Sequence, residues 1–124
     1  MAVVYTNAVK IARMAAVVSQ AGTTAVLEIG TASMASILVT FTLNNPIAGA
    51  ATGAGVLTLS SFPKNATAAA SGTPAAARIR TATGGTDIIT GLTVGTSGTD
   101  IVLDSATITS GQTVTINSAT ITHA

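Results

Sequence analysis

The chain has 124 residues and a formal net charge of +1, with 7% of residues charged, 2% aromatic and 48% hydrophobic. Five Lys+Arg against four Asp+Glu give no basic surplus for nucleic acid and no charged tail for a membrane surface. Zero cysteines exclude a disulfide framework and a thiolate metal site, and the low charge with many β-branched residues argues against disorder.

The length supports one domain over residues 1–124. Residues 6–21 are predicted to form a helix. Thr6 or Asn7 can cap it through a side-chain oxygen, and Gly22 supplies a C-terminal stop. Ile11, Met14, Ala15 and Val18 fall at i, i+3, i+4 and i+7, an apolar stripe that should pack on the body or on a second subunit. Lys10 and Arg13 interrupt the apolar run of residues 8–18. A secretory signal places its charges ahead of such a run. No stretch reaches the roughly 18 apolar residues of a spanning helix.

From Thr24 onward the period changes to two, and residues 24–124 are predicted to form the β body. Val26, Leu27 and Ile29 mark a strand around Glu28. Ile37, Val39, Phe41 and Leu43 alternate with Leu38, Thr40 and Thr42, and Asn44-Asn45-Pro46 ends that run. Leu57 and Leu59 belong to a further strand, broken at Pro63. Residues 64–77 are almost all small and read as an extended arm or loop, ordered by partners. Arg78 and Arg80 face one way on the next strand. Gly84-Gly85 makes a turn, and a strand starts at Asp87. Ile101 and Leu103 alternate with Asp100, Val102 and Asp104, and Val114 and Ile116 with Thr113, Thr115 and Asn117. Ser105-Ala106-Thr107-Ile108-Thr109 recurs as Ser118-Ala119-Thr120-Ile121-Thr122, which reads as two similar strands of one sheet. The expected fold is mainly β: a β-sandwich or flattened barrel of seven to nine short antiparallel strands with one N-terminal α-helix. Its core should hold Ile37, Val39, Phe41, Leu57, Leu59, Ile101, Leu103, Val114 and Ile116.

The residues give no catalytic, cofactor or metal site. His123, the only histidine, is next to the C-terminus, where a general base is poorly fixed. Asp100 and Asp104 share strand parity, but about 13 Å at ~3.3 Å per residue is too far for a glycosidase pair. They read as solvated charges or as partners of an arginine. No EF-hand loop is present. Arg78 and Arg80 could hold a phosphate, but an ion pair with Asp87 or Glu28, or an acidic partner, is the commoner use of such a pair. Gly49, Gly53 and Gly55 lack the Lys-Ser/Thr ending of a phosphate loop. Asn65-Ala66-Thr67 matches a glycosylation acceptor, which matters only in a eukaryotic secreted protein. Tyr5, Phe41 and Phe62 alone build no stacking platform. An enzyme is therefore not expected.

So few charges favour association over dispersal. A surface of Thr, Ser, Asn and Ala can be buried without desolvating many charges. Two stretches carry a resemblance. One is Tyr5-Thr6-Asn7-Ala8-Val9-Lys10-Ile11-Ala12-Arg13-Met14. The other is Gly91-Leu92-Thr93-Val94-Gly95-Thr96-Ser97-Gly98-Thr99-Asp100-Ile101-Val102-Leu103-Asp104, followed by Ile108-Thr109-Ser110-Gly111-Gln112-Thr113-Val114-Thr115-Ile116. With residues 75–79 these resemble small structural proteins of tailed bacteriophages and prophages. The resemblance implies a virion component assembled in the bacterial host cytoplasm. The first expectation is a capsid decoration (cement) protein, a homo-oligomer with a trimer favoured, bridging copies of the major capsid protein. A neck or tail connector and a small host-surface adhesive module are the alternatives. No site residues carry over, because the resemblance offers no site motif.

Overall fold

The computed structural model describes residues 4–53, 55–60 and 62–122. Helix α1 (Asn7–Ala21) comes first, and nine strands follow among the described residues: β1 (Val26–Gly30), β2 (Ile37–Thr42), β3 (Val56–Thr58), β4 (Lys64–Thr67), β5 (Ala76–Arg80), β6 (Asp87–Leu92), β7 (Val94–Gly95), β8 (Ile101–Leu103) and β9 (Thr113–Thr122). A short 3-10 turn, Ala32–Met34, lies between β1 and β2. The strands form two sheets. One has the order β2-β1-β5-β6; the other has β3-β9-β8-β7, with β4 also paired to β9. The mainly β, two-sheet sandwich with one N-terminal helix is thus the observed fold, and it is not closed into a barrel. All pairings are antiparallel except β7 with β8, which is parallel.

One core joins both sheets. Leu27, Ile29, Val39, Phe41, Ala77 and Ile79 come from the first sheet, and Leu57, Ile101, Leu103, Val114, Ile116, Ala119 and Ile121 from the second. Eight of the nine residues expected in the core are buried. Ile37 is the correction: it is 36% exposed, while Leu38 is fully buried. The cause is a bulge. Gly30 pairs with Ile37 but Ile29 pairs with Val39, so Leu38 is an extra residue in β2 and the alternation slips by one.

β9 carries a second phase slip. Val102 pairs with Ser118 and Leu103 with Ile116, so Asn117 is unpaired with β8. Inward positions are therefore Val114 and Ile116 before the slip and Ala119 and Ile121 after it. The recurring five residues are not two similar strands. Residues 118–122 are the second half of β9, whereas 105–109 form a loop joined to the body by one bridge, Ile108 with Gly72.

Thr6 caps α1, its Oγ1 accepting from the Val9 N–H at 3.4 Å, and Gly22 follows at φ +70°. The helix touches β3 of one sheet and β6 of the other, so it bridges them. Its inward arc runs through Ile11, Met14, Val17, Val18 and Ala21. Ala15, expected in the stripe, is exposed. At 3.6 residues per turn it lies about 100° round from Met14, on which the arc is centred. No helix among the described residues is long and apolar enough to cross a membrane.

The segment expected as an arm or loop lies against its own chain. Lys64–Thr67 is a strand on β9. Ala68 is buried, and the Ala69 N–H donates to the O of Leu38, the bulged residue of β2, at 2.8 Å. The total accessible surface is 6180 Å². A monomer of 12.0 kDa should expose about 6,000 Å². The chain is therefore as compact as a monomer of its mass.

Candidate functional site

Every residue of β1 is buried, including those facing away from the core. Glu28 is one of these, at 1% exposure. A carboxylate so deep must be paired to remain charged. β1 and β5 are antiparallel neighbours, and their register sets Glu28 directly opposite Arg78. Arg78 Nε donates to Glu28 Oε1 at 2.7 Å, and Arg80 Nη1 lies 3.7 Å from the same oxygen. Arg80 also reaches Asp87, with Nε 3.0 Å from Oδ1, and donates from Nη2 to Gly85 O at 2.7 Å. The Arg80 Nε–H is not aligned for a hydrogen bond, so its link to Asp87 is an ion contact. Two acids and two guanidinium groups thus form a neutral cluster. It ties β1, β5, β6 and the 84–85 turn together. The expected pairing of Arg78 and Arg80 with Glu28 or Asp87 is realised with both acids.

Asp100 and Asp104 flank β8, outward where Ile101 and Leu103 point inward. Neither pairs with an arginine among the described residues. Asp100 has a local task that its spacing did not announce. Its Oδ2 accepts from the N–H of Thr93 at 3.0 Å and from its Oγ1 at 3.1 Å, and the Asp100 N–H donates to Thr93 Oγ1 at 3.0 Å. Ile101 N–H donates to Thr93 O at 3.0 Å. These bonds clamp the base of the short loop between β7 and β8, which lets two parallel strands follow one another without a long crossover. Asp104 is exposed, with Oδ1 accepting from Thr115 N–H at 3.3 Å. The second oxygens of Asp100 and Asp104 take no hydrogen bond among the described residues.

The other sequence features resolve as scaffold. Gly53 and Gly55 have φ of +54° and +84° in a tight loop closed by reciprocal 2.9 Å bonds between Thr52 and Val56. Asn65-Ala66-Thr67 lies within β4, and Asn65 Oδ1 accepts from Thr115 Oγ1 at 2.7 Å. His123 lies outside the described residues. No group of three His, Cys, Asp or Glu side chains that could hold a metal ion occurs among the described residues. A shallow groove of about 310 Å³ runs between α1 and β6, lined by Ala16, Val17, Gln20, Thr86, Asp87 and Ile88. Its single carboxylate is engaged by Arg80, which leaves the groove without an obvious nucleophile or base.

What remains is surface. Among the described residues, the large hydrophobic side chains most exposed are Val4 (84%), Tyr5 (43%) and Val9 (43%), at or just before the start of α1, with Ile37 on β2. Arg13 stacks on Tyr5, its Cζ 4.5 Å from the ring centroid. Comparisons with known proteins add no assignment: no family model, no curated protein and no solved structure matches this chain.

Proposed function

We propose that the chain is a structural virion protein of a tailed bacteriophage, and within that class a capsid decoration protein. In this reading it assembles as a homotrimer and bridges neighbouring subunits of the major capsid protein, stabilising the shell. The observation that carries the reading is the distribution of charge. Of five basic and four acidic residues, two of each neutralise one another in the Glu28–Arg78–Arg80–Asp87 cluster, with Glu28 buried and Asp87 at the surface. The rest of the outer surface is mainly hydroxyl and methyl groups. Such a surface can be covered by identical neighbours at little desolvation cost. A compact body with one joined core suits a part added to a finished shell. The sequence resemblance to small phage structural proteins points the same way.

The test is co-sedimentation with undecorated capsids. The expected result is saturable binding at micromolar protein or below, with the bound shells more resistant to heat. No binding at micromolar protein would overturn the decoration role. Sedimentation equilibrium of the free protein separates the placements: a trimer fits local threefold positions on the shell, whereas a hexamer or dodecamer would match a neck or tail ring.

A further inference from the structure

Five charged side chains lie outside the ion cluster among the described residues: Lys10 and Arg13 on α1, Lys64 on β4 with its Nζ 5.9 Å from the Phe62 ring centroid, and Asp100 and Asp104 beside β8. Lys10 and Arg13 sit in the first two turns of α1, which contains no acidic residue. Neither forms an ion pair among the described residues. Lys10, at the end of the first turn, opposes the helix macrodipole, whose N-terminal end is already positive, and Arg13 stacks on the Tyr5 ring with its charge unmatched by an acid among the described residues. Around them Val4, Tyr5 and Val9 are exposed apolar groups. The two acids left over, Asp100 and Asp104, flank β8 on the outward face of the second sheet, each with one carboxylate oxygen unengaged by the described residues.

We propose that these two patches are the two halves of one interface: the start of α1 in one copy docks on the outward β8 face of the next. The occupant is a second copy of this chain, and charge complementarity selects it. A twofold pairing of α1 with α1 would set Lys10 and Arg13 against themselves. Joining unlike patches instead makes a heterologous contact, which gives a ring such as a trimer where the rotation between copies closes and an open filament where it does not. A standard interface covers about 800 Å² per partner, roughly an eighth of the 6180 Å² surface, which a helix start and one sheet face can supply. The inference rests on the self-association assumed above but not on what the oligomer decorates.

The experiment is charge exchange, read by sedimentation equilibrium of the full chain, with far-UV circular dichroism to confirm folding. Lys10→Glu with Arg13→Glu should weaken self-association about tenfold or more, and so should Asp104→Arg. Asp104 is chosen because Asp100 also clamps its loop. Combining Lys10→Glu with Asp104→Arg in one chain, which exchanges one charge for one across the contact, should recover part of the lost association, whereas mixing the two reversed variants cannot rebuild a three-membered ring, because two like copies must then meet. Raising salt from 0.05 to 0.5 M should weaken the wild-type oligomer and leave a swapped pair equally salt-sensitive. A wild type that stays monomeric at 100 μM would overturn the inference, with capsid binding still deciding the decoration role. So would an oligomer indifferent to both reversals. Reversals that spare the oligomer but abolish capsid binding would also overturn it, placing the acidic partner on the shell. If either variant fails to fold, Arg13→Gln and Asp104→Asn give the same test, with a smaller expected change.

Discussion

Glu28 and Arg78 face each other across β1 and β5, with Nε and Oε1 2.7 Å apart and the carboxylate side chain only 2% exposed. The pair is fixed by register: a slip of one residue would turn Glu28 into the apolar core. Removing one partner leaves uncompensated charge in a poorly hydrated place. Glu28→Leu is expected to cost about 2 kcal/mol, less than the roughly 3–5 kcal/mol of a fully buried pair, because water reaches the arginines. Glu28→Leu combined with Arg78→Leu should recover more than half of that loss, since the site becomes apolar and Arg80 keeps Asp87. Urea unfolding of the two singles and the double measures it. Simple additivity of the single losses would show that the pair is not coupled.

Gly30 ends β1 where the chain folds back through the 3-10 turn. A methyl group placed there would lie 2.6 Å from Ser36 O and 3.0 Å from Met34 Cε. Ser36 O is not free to move, because it accepts from the Thr31 N–H at 3.0 Å, while the Ser36 N–H donates to Thr31 Oγ1 at 3.0 Å. Gly30→Ala should therefore cost about 1–3 kcal/mol through overpacking. Gly49 is the control: it is exposed, and nothing lies within 4 Å of an added methyl. Gly49→Ala should be neutral or stabilising by up to about 1 kcal/mol, through the unfolded chain. Thermal melts of both variants decide the matter; equal midpoints would refute the packing argument.

The bulge in β2 makes a sharp prediction from adjacent residues. Leu38 is fully buried, and its methyl groups lie against Gly72, whereas Ile37 is 36% exposed. Leu38→Ala should cost about 2–5 kcal/mol. Ile37→Ala should cost less than about 1 kcal/mol. Strict alternation predicts the reverse order. Chemical denaturation of the two variants distinguishes them.

That reversal marks the limit of what alternation can tell. Period two located the strands and most of the core, because burial of one face imposes it. It carries no notice of an inserted residue, and both slips, at Leu38 and at Asn117, depend on which strand lies alongside. The Arg78 and Arg80 pairing was legible from shared parity and from ion pairing with Glu28 or Asp87, or with an acidic partner, being the commoner use of two neighbouring arginines. The Thr93–Asp100 clamp was not, because a loop bond between residues seven apart leaves no periodic trace.

Residues 64–77 show the same limit in a small-residue segment and give a final test. Composition alone suggests an arm, since Ala, Ser, Thr and Gly bury little area per residue. Backbone bonding decides otherwise. Ala68 N–H donates to Gln112 O at 2.8 Å, Gly111 N–H to Ala68 O at 2.9 Å, and Ala75 N–H to Gly30 O at 2.9 Å. Gly72 and Ile108 exchange bonds of 2.9 and 3.0 Å. Small side chains permit this, because Gly72 admits Leu38 where a Cβ would meet its Cδ2 at 3.0 Å. Proteases cut segments that open locally at low free energy. Trypsin acting on the native protein should therefore cut after Lys10 or Arg13, at the exposed start of α1, well before it cuts after Lys64 in the paired strand β4. Mass spectrometry of a digestion time course gives the order. Early appearance of a fragment beginning at Asn65 would show that the segment is an arm after all, and that its bonds to β9 and the 108–112 loop are weak.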